Sequence, residues 1–156
     1  MIIAGWGKDA KDLAFAGIQK CGKCRNYAPI RLYEVSSRVT LYFIPVAKFN
    51  KKYYLVCPVC QAGAEVDQNE KDEILRNSNL GPTQDEALAI WNMLDAECAQ
   101  FIARHDADES DEPSDADRME LTNIVAKVKN AYPGVPNVGY VVVRYMESLQ
   151  DTDRPK

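Results

Sequence analysis

The 156-residue chain contains a single histidine, His105. One imidazole rules out metal sites built on several histidines, and the His-Glu-x-x-His pattern of zinc proteases is absent. No Ser/His/Asp set stands out either, so catalysis has no candidate residues and the chain is not expected to be an enzyme. Gly5-Trp6-Gly7-Lys8 lacks the Gly-x4-Gly-Lys-Ser/Thr spacing of a phosphate loop. No uncharged apolar run approaches the roughly 18 residues of a membrane span, so no membrane partner is expected. The first seven residues lack a basic stretch, and Lys8 and Asp9 cut their apolar run short. No signal peptide is therefore expected, and a cytoplasmic location follows as the working expectation. In a reducing compartment, paired cysteines hold metal more often than they form bridges.

Cysteine is scarce as well, with five in the chain, yet four of them form two Cys-x-x-Cys pairs. The first lies in "KCGKCR" (20–25) and the second in "VCPVCQ" (56–61). Thiolates bind Zn²⁺ tetrahedrally, and Cys-x-x-Cys places two sulfurs on one tight turn. Cys21, Cys24, Cys57 and Cys60 thus read as a closed four-cysteine site for one structural zinc ion per chain. The separation between the pairs is longer than in compact zinc modules. Doubling a loop costs only about 0.6 kcal/mol, while structural zinc contributes roughly 10–16 kcal/mol in small fingers. Thiol–disulfide chemistry is the competing reading of Cys-x-x-Cys, but it calls for a βαβ setting. Here both pairs border strands.

Those strands are "IRLYEV" (30–35), "RVTLYFI" (38–44) and "KYYLVC" (52–57), rich in β-branched and aromatic residues. Turns are expected at Ser36-Ser37 and around Asn50, giving a three-stranded antiparallel meander. In the middle run Val39, Leu41 and Phe43 alternate with Thr40, Tyr42 and Ile44.

Gly5-Trp6-Gly7, the first Cys-x-x-Cys, Tyr42-Phe43-Ile44-Pro45 and a closing Cys57-Pro58-Val59-Cys60 after Tyr53 or Tyr54 together resemble a family of small zinc-ribbon proteins. The resemblance covers about residues 1–65. It implies an N-terminal strand and a structural zinc ribbon, and says little about activity. The sequence departs from that family's pattern at Arg25 and Gln61, where glycine usually follows the second cysteine of each turn.

Beyond Ala64 the pattern becomes helical, so the fold class is α+β. Asp67 with Glu70, Thr83 with Glu86 and Asp117 with Glu120 have the spacing of reciprocal helix caps. Ala87, Leu88, Trp91, Leu94, Cys98 and Phe101 share one helical face, which makes Cys98 a core thiol. His105 falls at that helix's end, where a protonated imidazole suits the dipole. Leu121, Ile124, Val125 and Val128 mark another helix. In the valine-rich segment 137–150, residues Val138, Val141, Val142, Tyr145, Met146 and Leu149 keep a helical period. Asn137 is the candidate cap, and Ile124 and Val128 the expected packing partners. The domain reading is a zinc ribbon (1–65), a helical segment (66–104), an acidic flexible linker (105–117) and a C-terminal helical hairpin (118–150).

Residues 1–64 carry ten Lys/Arg and three acids, while residues 65–156 carry nine and twenty. The expected role is an adaptor whose ribbon meets a protein partner. The alternative is nucleic-acid binding, with Tyr33, Tyr42, Phe43, Tyr53 and Tyr54 stacking bases among Arg31, Arg38, Lys48, Lys51 and Lys52. The acidic linker would then compete with polyanions for the basic ribbon.

Overall fold

The computed structural model describes residues 4–105 and 114–151. The chain forms two compact units that divide after Leu80. In the first, β1 (Ala4–Lys20), β2 (Tyr27–Leu41), β3 (Ile44–Val56) and β4 (Gly63–Val66) make one antiparallel meander, followed by α1 (Gln68–Leu80). The sheet thus has four strands where the residues alone suggested three: the first two expected strands lie mostly in β2 and the third in β3, β4 was not expected, and β1 is the N-terminal strand that the resemblance implied. The apolar pattern of β1 does not announce a strand because Lys8, Asp9, Lys11 and Asp12 interrupt it.

β2 runs straight through Ser36-Ser37, and the chain reverses later, at Tyr42-Phe43. Both turn residues are left-handed, with φ of 50° and 69°. That is the geometry of a two-residue hairpin turn, which favours Asn-Gly. A side chain in this conformation costs roughly 1–2 kcal/mol per residue. Asn50 makes no hairpin turn. Its φ of 51° serves a bulge inside β3, where Asn50 and Lys51 together lie opposite Ser36. Its tolerance of positive φ is used, but to bend a strand.

The sheet is long and unevenly filled. At about 3.3 Å per residue, the 15 residues of β2 span roughly 45 Å. Phe15, Ile18, Ala28, Ile30 and Leu32 are buried, all toward the Cys-x-x-Cys end. Two bulges bend β1 at this end, the second beside Gly17 with its φ of 99°. From residue 41 to residue 50 every side chain is exposed. α1 lies against β1 with no buried residue of its own, and its Lys71 ammonium sits 4.9 Å from the Tyr53 ring centroid. The expected Asp67–Glu70 cap is present, with bonds of 2.8 and 3.0 Å.

The second unit packs α2 (Gln84–His105), α3 (Asp115–Ala131) and α4 (Val138–Gln150). Ile90, Leu94, Cys98, Val128 and Tyr145 have almost no exposure, confirming Cys98 as a core residue. Burial raises the Cys98 pKa. Thr83 and Glu86 form the expected cap of α2. α3 starts earlier than Asp117. Ser114 is its N-cap and Asp117 the reciprocal partner, at 2.9 and 3.3 Å. Asp117 therefore occupies the third helical position, and Glu120 binds Arg104 of α2 at 2.7 Å. Residues 114–117 of the expected linker are thus a cap and a first helical turn; residues 106–113 lie outside the described residues.

α4 is the expected helix despite its valines. It buries Val138, Val141, Val142, Tyr145 and Ser148, while Leu149 is only half-buried. Its main neighbour is α2, through an edge-to-face contact of Tyr145 with Trp91 at 5.1 Å. Asn137 stands at the N-cap position in a left-handed conformation and makes no side-chain cap bond. Among the described residues no helix is long and apolar enough to cross a membrane.

Candidate metal centre

Each Cys-x-x-Cys occupies a tight loop between two antiparallel strands. The first joins β1 to β2 and the second joins β3 to β4. Within each loop the leading cysteine closes the turn twice. Cys21 N–H donates to the Asn26 carbonyl at 2.9 Å, and Arg25 N–H donates to the Cys21 carbonyl at 2.9 Å. In the second loop, Cys57 N–H meets the Ala62 carbonyl at 3.0 Å and Gln61 N–H meets the Cys57 carbonyl at 2.8 Å. Arg25 and Gln61 follow the second cysteines, with φ of 58° and 57°. A left-handed residue there explains why glycine is the usual choice and why these two side chains are strained. All four cysteines remain in place to bind.

The sheet brings the two loops together at one end. All four sulfurs lie within 4.8 Å of one another. Cys21 Sγ is 3.6 Å from Cys60 Sγ, and Cys24 Sγ is 3.8 Å from Cys57 Sγ. A tetrahedral zinc ion with Zn–S bonds of about 2.3 Å demands sulfur–sulfur separations of about 3.8 Å. The donor set fits. Cys21 and Cys57 are buried and Cys24 and Cys60 half-buried. Around them Ala28 and Ile30 pack with Ala16 and Leu55 to form an apolar collar.

The loops also prepare the sulfurs electrostatically. Backbone N–H groups of Cys24 and Lys23 donate to the Cys21 sulfur and lower its pKa to about 6. Cys60 behaves in the opposite way. The Ala62 N–H lowers its pKa, but desolvation and the crowding sulfurs of Cys21, Cys24 and Cys57 outweigh it, raising the value to about 11. Without metal the cluster cannot hold four negative charges at neutral pH. A dication removes that conflict, and four thiolates close its coordination sphere. Sulfur contacts of 3.6 and 3.8 Å cross between the loops, which suits a shared metal better than two separate redox pairs.

The residues considered for nucleic acid are spread along the length of the sheet. Tyr42 and Phe43 are exposed at the β2–β3 turn, whereas Tyr33, Tyr53 and Tyr54 are half-buried farther down the sheet. Several cations already meet carboxylates: Arg31 with Asp12 at 2.6 Å, Arg38 and Lys48 both with Asp9 at 3.1 Å, Lys51 with Glu34 and Lys52 with Glu65. One feature is not legible from composition or spacing: the apolar end of the sheet. Trp6, Phe43 and Ile44 are 77%, 84% and 65% exposed, and Trp6 meets Phe49 edge-to-face at 6.1 Å. The available signal was the apolar run "LYFIPV" (41–46), which reads equally well as a buried strand.

A family model described as a zinc-ribbon family matches residues 19–105, more than half of the chain. The match takes in all four cysteines and runs on through α2; Gly5-Trp6-Gly7, α3 and α4 lie outside it. No curated protein and no solved structure matches the chain.

Proposed function

Because the chain belongs to this zinc-ribbon family, we propose that it is a non-enzymatic, cytoplasmic adaptor. The zinc holds the ribbon sheet, the far end of that sheet is a docking element, and the helical unit carries a protein partner. The observation that supports this most is the apolar end of the sheet. Large apolar side chains lie in the open at the point most distant from the core that stabilises the strands. Contiguous exposed apolar surface on a folded protein marks an interaction site. The closed set of four cysteines leaves no coordination position for a substrate, so a structural role for the metal fits the reading.

The helical unit supports the second half of the proposal more modestly. Its own core is complete, and Tyr140 and Val143 of α4 stay exposed beside the ion pair of Arg144 with Glu147. Photo-crosslinking in cells tests the reading, with a crosslinkable residue placed at Val143 and, separately, at Phe43. Recovery of one recurrent protein adduct from Val143, lost when Tyr140→Glu is added beside it, is the expected result. Adducts confined to nucleic acid at both positions would replace the adaptor with a nucleic-acid-binding ribbon.

A further inference from the structure

The apolar end of the sheet combines three features. Its turn residues, Tyr42 and Phe43, sit in a left-handed conformation that Asn-Gly would occupy without strain. The chain retains two aromatic rings where local geometry disfavours them, which points to a role for the rings themselves. Next, the large apolar side chains of this end gather on one face of the sheet. Trp6, Leu41, Ile44 and Phe49 belong to rows of that face, Thr40 and Pro45 share the row of the other face, and the rows close on Tyr42 and Phe43.

The third feature is charge. The rows just below the end carry Lys8, Arg38 and Lys48 against a single carboxylate, Asp9. Asp9 is shared between Arg38 and Lys48, so this collar keeps a net positive charge. Aromatic side chains with a polar edge and a basic collar are the composition of segments that seat in a membrane interface. The cytoplasmic leaflet is anionic, and each nearby cation adds attraction to it. Bases would stack on the rings but gain nothing from Leu41, Ile44 and Val46. A second copy would bring two positive collars together.

We propose that the β2–β3 end of the ribbon is a finger that seats in the interface of an anionic lipid bilayer. The inference rests on the reading of that end as a docking element and names what it docks on. It requires no spanning segment, so the lack of a long apolar helix does not bear on it. The zinc site sits at the other end of the strands and holds the finger from behind. Lys8, Arg38 and Lys48 meet lipid headgroups while the rings enter the acyl boundary.

The test uses the full, zinc-loaded chain and vesicles of phosphatidylcholine with and without phosphatidylserine. Co-sedimentation should show binding that needs phosphatidylserine and weakens as salt rises. The emission of Trp6 should move to shorter wavelength on binding. The double substitution Tyr42→Asn, Phe43→Gly removes both rings while giving the turn the residues it prefers, so the sheet is retained. It should bind vesicles less tightly by on the order of tenfold or more. No binding by the native chain, or equal binding by the two forms, overturns the proposal. A protein adduct at Phe43 in cells with no vesicle binding also overturns it, and leaves the adaptor reading standing. Loss of the Val143 adduct with vesicle binding intact would instead remove the adaptor reading and leave the lipid finger.

Discussion

At one end of the ribbon sheet Ala28 and Ile30 pack around four sulfurs with almost no exposure. At the other end, from residue 41 to residue 50, every side chain meets solvent. The same strands run through both. The zinc end is held by metal and core, while the hairpin end is held by ladder hydrogen bonds and by surface ion pairs centred on Asp9. Exposed ion pairs contribute about 0–1 kcal/mol each. The contrast shows that a strand's stability need not come from where its side chains are most apolar. Here the most apolar stretch is also the least buried.

The strongest way to break this contrast is to remove a ligand. Cys57→Ser should release the metal and unfold the zinc end, since structural zinc contributes roughly 10–16 kcal/mol in small fingers. The helical unit, with its own core, should keep its melting transition. Elemental analysis and amide exchange read both effects; stoichiometric zinc in the variant would show that three thiolates suffice.

Acid should act on the same end alone. Protons and zinc compete for sulfur, so affinity falls as pH falls, by about tenfold per pH unit for each proton displaced. Cys60, at about 11 without metal, is protonated throughout the neutral range and gives up a proton to zinc there. Cys21, at about 6, joins only below that pH, so the slope should steepen by one proton as pH drops past it. A zinc titration with a competing chelator from pH 8 to pH 5 measures the slope. A constant slope through pH 6 would contradict the role given to the Cys21 hydrogen bonds.

Two truncations sharpen the contrast within one sheet. Leu32→Ala at the buried end should cost roughly 2–5 kcal/mol. Ile44→Ala at the exposed end should stay within about 0.5 kcal/mol. Similar losses in thermal unfolding would mean that the hairpin end is covered in solution. The smallest change is a gain. Gln61→Gly relieves a left-handed side chain beside the metal and should raise stability by about 1 kcal/mol, read as a modest rise in melting temperature. A lower melting temperature would show that the Gln61 side chain has a contact worth more than the strain.

The metal site was legible because its signal is chemical: two Cys-x-x-Cys pairs admit few interpretations once strands flank them. The helical face of α4 was legible because period is independent of residue preference, and Val141, Val142 and Tyr145 obey it. The hairpin was not. Tyr42 and Phe43 carry none of the residues that announce a left-handed turn, whereas Ser36-Ser37 and Asn50 carry turn chemistry that the fold spends inside strands. Ser36 is buried at 3% exposure in the middle of β2. The start of α3 was ambiguous for a different reason: Asp117 fits both the first and the last position of a cap, and only the backbone decides between them. The charge contrast also softens once α1 joins the ribbon. Residues 1–80 carry twelve basic and eight acidic side chains.

The two cysteine loops differ in sequence, yet they share hydrogen bonds and a left-handed residue at matching places. They share an approximate local symmetry whose counterpart in the sequence is the doubled Cys-x-x-Cys itself. That symmetry sorts the ligands into an inner pair, Cys21 and Cys57, and an outer pair, Cys24 and Cys60. A chelator or an oxidant arriving from solvent meets the outer sulfurs first, one from each loop. The order in which the metal is stripped is therefore set by rank within a loop and not by place along the chain.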